Sequence, residues 1–89
     1  MKDYSETGYN GWKNRQTWNV ALWINNDEPL YRAALDFAKK TAVRNKKGLY
    51  ARFIRYAGLV GCRTPDNIAW DGTRLDYPAL NDMMLDFIR

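Results

Sequence analysis

The sequence predicts a small all-α domain, a bundle of about four short helices. Three observations lead there. Apolar residues recur three and four positions apart over most of the chain, good capping residues (Asn14, Asp27 and Asp76) precede three of these stretches, and Gly, Pro and Asn clusters separate them. With 89 residues the chain makes one domain, because chains divide into units of roughly 100–150 residues. A chain this short buries only about 60–65% of its unfolded surface, so its core must be efficient. Four Trp, six Tyr and three Phe supply enough ring area to close that core without staples, which argues against intrinsic disorder.

The elements follow in order. Residues 1–13 are rich in Tyr, Gly, Asn and charge, and read as a flexible arm entering a turn at Asn10-Gly11; residues 14–89 form the helical domain. Asn14 is a good N-cap, and the first helix runs from it to Asn25 or Asn26. Its periodicity has two readings. Trp18, Val20, Leu22 and Ile24 alternate as in a strand, whereas Trp18, Ala21, Leu22 and Asn25 form a helical stripe with Val20, Trp23 and Ile24 as a second apolar side. A strand at 17–24 turns the fold into α+β and moves Asn19, Ala21 and Trp23 to an opposite face. Helix is preferred, since no other segment offers a clean strand partner.

Asp27 caps the second helix, with Glu28 and Pro29 in its first turn and helical spacing from Leu30 to about Arg44. Tyr31, Ala34, Leu35, Ala38 and Ala42 line its apolar face, flanked by Leu30 and Phe37. Asn45-Lys46-Lys47-Gly48 breaks it. A third helix, about Leu49 to Val60, buries Leu49, Phe53, Ile54, Ala57 and Val60, with Gly58 and Gly61 weakening its end. Thr64 through Gly72 is a loop carrying Ile68 and Trp70. The last helix opens at Asp76 with Pro78 in its first turn, and buries Leu80, Met83, Met84, Phe87 and Ile88.

Composition excludes several chemistries. Without histidine there is no His-ligated zinc, no Ser-His-Asp or Cys-His nucleophile, and no proton shuttle near neutral pH. The single Cys62 forms neither an internal disulfide nor a Cys-rich metal site, which points to a reducing compartment; without a base it is a quiet thiol. The carboxylates Asp27, Glu28, Asp66, Asp71 and Asp76 sit where caps and turns use them. Gly58-x-x-Gly61 lacks the Lys-Ser/Thr of a nucleotide cradle. No catalytic residue, metal site or cofactor is expected. Met1 to Tyr9 lacks a signal-peptide apolar stretch, and the longest apolar run, Val20 to Ile24, is far short of the roughly 20 residues that span a bilayer. A cytoplasmic protein with no membrane partner is the expectation, its oligomeric state left open.

The net charge of +4 hides an asymmetry. Residues 1–36 carry −1 and residues 64–89 carry −3, while residues 37–63 hold eight cations and no acid: Lys39, Lys40, Arg44, Lys46, Lys47, Arg52, Arg55 and Arg63. Such a stretch is a candidate contact surface for nucleic-acid phosphates or for an acidic protein, and Tyr50 and Tyr56 add stacking capacity. The competing reading is a solvated face whose charges pair with the acidic C-terminal helix. Trp12 and Trp70, in loop-like contexts, are candidate apolar anchors, since Trp and Arg are enriched at interface hot spots.

Asn10-Gly11-Trp12-Lys13-Asn14-Arg15-Gln16-Thr17-Trp18-Asn19-Val20-Ala21-Leu22-Trp23, continuing to Asp27, resembles a family of short, uncharacterised proteins of phages, plasmids and other mobile elements. Their signature is close to N-G-W-x-N-x-x-T-W-x-V-x-L-W. Thr64-Pro65-Asp66-Asn67-Ile68 is similar to a T-P-D-G-V stretch of some members, with Asn67 in place of the Gly in a turn that tolerates a left-handed residue. The resemblance implies a binding protein that occupies a surface of a host macromolecular complex without catalysis, with modulation of host defence as the consequence. The alternative is direct binding of DNA or RNA through the basic 39–63 segment. Wholesale DNA mimicry is excluded by the basic balance; a local mimic needs Asp66, Asp71, Asp76, Asp82 and Asp86 on one face.

Overall fold

A computed structural model describes residues 11–89 and shows four helices: α1 (Arg15–Asn26), α2 (Glu28–Thr41), α3 (Leu49–Tyr56) and α4 (Tyr77–Asp86). The fold is a small all-α bundle, and residues 17–24 are helical. Most of the expected arm, residues 1–10, lies outside the described residues; of the remainder, Trp12 packs against the core.

Each helix starts where a side chain can accept a free backbone N–H. The Asn14 carboxamide accepts from Thr17 N, Asp27 from Leu30 N and Asp76 from Ala79 N. Asp27 also donates its own N–H to Trp23 O, so one residue closes α1 and opens α2. That single link folds α1 back against α2. α3 starts differently. Gly48 has no side chain to cap with, and Asn81 of α4 accepts from Tyr50 N instead, tying α3 to α4.

Two ends fall short of expectation. α2 stops at Thr41 rather than Arg44, because Thr41 O takes both Arg44 N and Asn45 N in a tight turn. α3 stops at Tyr56 rather than Val60. Gly58 adopts φ +73°, its N–H reaches Arg55 O, and Leu59 N reaches Ile54 O, which is the Schellman closure. Val60 therefore leaves the core and is 55% exposed.

The core is built from Val20, Ala21 and Ile24 of α1, Ala34 and Ala38 of α2, Leu49, Phe53 and Ile54 of α3, and Leu80, Met83 and Met84 of α4. Tyr31, Leu35, Phe87 and Ile88, expected on apolar faces, are half-buried. The 62–70 segment is more than a loop. Arg63 and Ala69 form an antiparallel bridge, Thr64 N donates to Ile68 O, and Asn67 turns the chain at φ +67°, a left-handed conformation that Asn tolerates. This turn carries Ile68 and Trp70 into the core.

Candidate anion-binding surface

The basic residues do not form one patch. α2 presents Lys39 and Lys40, the following turn presents Arg44, Lys46 and Lys47, and α3 presents Arg52 and Arg55. Lys40 pairs with Asp36 one turn back at 3.1 Å, and this hydrogen bond holds its ammonium charged above the usual lysine range. Arg52 turns inward: its Nη1 donates to the carbonyls of Asn45 and Lys47 and braces the α2–α3 turn. Gly48, at φ +60°, lets the chain reverse there. Lys39, Arg44, Lys46, Lys47 and Arg55 are exposed and make no ion pair among the described residues. Arg63 belongs elsewhere. Its guanidinium donates to Asn67 O, and it borders a cavity of about 330 Å³ shared with Gln16, Thr73 and Arg74.

The acidic C-terminal third does not neutralise this corner. Asp86 pairs with Arg89, Asp76 caps α4, and Asp71 accepts from Gly61 N at 3.4 Å. The Asp66 carboxylate is engaged on α1. Four of the five C-terminal aspartates thus have local partners, and Asp82 stands exposed on α4.

The tyrosines divide. Tyr50, expected as a stacking residue, is fully buried: its hydroxyl donates to Trp70 O at 2.6 Å, and burial pushes its pKa well above the usual phenol value. Tyr56 is 65% exposed, with its ring centroid 5.0 Å from that of Phe37 on α2. Trp70, expected as an exposed anchor, is only 5% exposed, because the bridge at Arg63 and Ala69 folds it inward. Trp12 is half-buried and borders a shallow groove with Trp18, Leu22 and Asn25.

Sequence reasoning missed a second constellation, which is structural. Asn19, 1% exposed, donates to Asp66 Oδ2 at 2.8 Å and accepts from Thr64 Oγ1 at 2.7 Å. Trp23 Nε1 donates to the same carboxylate oxygen at 2.9 Å. The two hydrogen bonds, from Asn19 and then Trp23, lower the Asp66 pKa. Nearby, Asn14 donates to Arg74 O and Thr17 Oγ1 accepts from Asp76 N. A polar amide in the middle of an apolar helical run was the available signal, since a buried amide demands partners.

The sequence pattern of a family of unknown function (DUF7249) matches residues 5–88. The chain belongs to this family. No curated protein and no solved structure matches it. The family match covers the whole described bundle, so the α1 junction and the basic corner both lie within the family domain.

Proposed function

We propose that the protein is a non-enzymatic binding protein that docks on an anionic surface of a host macromolecular complex through its α2–α3 corner. One observation carries this reading. Lys39, Arg44, Lys46, Lys47 and Arg55 stand exposed with no ion pair among the described residues, while Asp36, Asp71, Asp76 and Asp86 are used locally in pairs, turns and caps. Exposed cations on one part of the surface create a local positive potential that attracts anionic partners. The resemblance of α1 to proteins of mobile elements supports a host complex as that partner, and blockade of host defence as the outcome of docking.

The test is charge reversal at Arg44, Lys46, Lys47 and Arg55, leaving Arg52 intact because it braces the turn. The tagged variant is expected to keep native circular dichroism and lose the partners that the wild type captures from host lysate, as identified by mass spectrometry. Undiminished capture by a folded variant refutes the assignment.

A further inference from the structure

The corner holds a feature that charge alone does not explain. Tyr56 closes α3 with most of its ring in solvent, whereas the other large rings of the described core pack inward. One side of the ring rests on Phe37 at 5.0 Å with the planes 37° apart, and Phe37 in turn meets the buried Phe53 at 5.7 Å. A chain of three rings thus anchors an exposed aromatic to the core. Lys40, paired with Asp36, lies across on α2 within electrostatic reach of the ring, and α3 itself carries Arg52 and Arg55. Arg52 connects this helix face to the turn that carries Lys46 and Lys47.

Resting on the reading of the corner as an anion-binding surface, we propose that its ligand is single-stranded nucleic acid, with Tyr56 as the platform on which an unpaired base stacks. Two arguments select this partner over an acidic protein. Protein interfaces bury an apolar centre and are depleted in Lys, whereas this surface is rich in Lys, the chemistry that meets phosphates. A braced, exposed ring on a helix pair rich in Lys and Arg also matches the way unpaired bases are held, because every base offers a π-face and its phosphates need counter-charge. Duplex is disfavoured for a simple reason. Its base faces are stacked inside, so Tyr56 could touch only backbone.

The experiment is fluorescence anisotropy with labelled single-stranded DNA and RNA of mixed sequence, and with duplex of equal length, over a salt series. The wild type is expected to bind a single strand more tightly than duplex, with affinity falling steeply in salt. Tyr56→Ala is expected to weaken single-strand binding by roughly tenfold or more without changing the salt slope, while Tyr56→Trp retains it. Lys46→Glu with Lys47→Glu is expected to flatten the slope. Equal affinity for duplex, or a folded Tyr56→Ala variant that binds like the wild type, overturns the proposal. Absence of any oligonucleotide binding, with lysate capture that survives nuclease and still depends on the corner charges, overturns this inference alone and leaves the anionic-surface reading standing.

Discussion

Asn19→Ala is the substitution that most directly tests how the fold is held. Asn19 is buried in α1, and its Oδ1 accepts the Thr64 hydroxyl at 2.7 Å; Thr64 is itself 4% exposed. The alanine leaves the hydroxyl's proton without its acceptor in the interior, while the oxygen still accepts from Asp66 N and Ile68 N; the lost acceptor costs roughly 1–3 kcal/mol. The hole left by the amide adds about 1 kcal/mol. The expected loss is therefore about 2–4 kcal/mol, against a total of roughly 4–13 kcal/mol for a domain of this length. In a small domain that lowers Tm by about 10–25 °C. Thermal unfolding followed by Trp fluorescence and circular dichroism measures it. Thr64→Val removes the hydroxyl with little change of shape, so the double variant should lose about 1–2 kcal/mol less than the two single losses added together. A single variant that melts with the wild type, or strict additivity, refutes the claim that α1 holds the 62–70 turn through this pair.

Two further outcomes follow from the backbone and from burial. Gly58→Ala meets no neighbouring atom within 4 Å but places a Cβ at φ +73°, so the loss should be about 1–2 kcal/mol, and Gly58→Asn should recover part of it in the same melts. Tyr50 has a raised pKa in the folded state, so the stability it confers is complete below its ordinary value of 10.0 and declines as pH rises beyond that, because only the unfolded chain releases the proton readily. Denaturant titrations from pH 8 to 11 should show that decline, and Tyr50→Phe should reduce its slope at the alkaline end by up to about 1.4 kcal/mol per pH unit.

Local chemistry was the legible part of this fold. Asn14, Asp27 and Asp76 announce three helix starts because each carries an acceptor that reaches back to a free N–H, a decision made within four residues. Pro29 and Pro78 in first turns say the same. The end of α3 was harder to place, since apolar spacing continues to Val60 while Gly58 leaves the helix by taking a conformation that sequence periodicity does not weigh. Trp70 was misplaced for a nonlocal reason. Its burial depends on the Arg63–Ala69 bridge and on Tyr50, 20 positions earlier, reaching its carbonyl. The basic run was legible as charge but not as a surface. Nothing in its composition separates Arg52, which braces a turn, from Arg55, which faces solvent, or sends Arg63 to another side.

The residues that carry the family resemblance and those that form the charged corner have separate tasks. In the N-terminal motif, Asn14 and Thr17 bond to the chain entering α4, Asn19 and Trp23 bond to the turn at Thr64–Asp66, and Val20 joins the core. The second resembling stretch, Thr64 to Ile68, is the very segment that Asn19 and Trp23 hold. Motif and echo, 47 residues apart at Asn19 and Asp66, are two halves of one junction. The side-chain hydrogen bonds of Asn19, Trp23, Thr64 and Asp66 join the two segments to each other. A motif of this kind specifies a scaffold, and its presence in another chain implies this bundle without implying the same partner. On the reading proposed above, partner choice falls to side chains that the junction leaves uncommitted, and Lys46, Lys47, Arg55 and Tyr56 are exposed outside it.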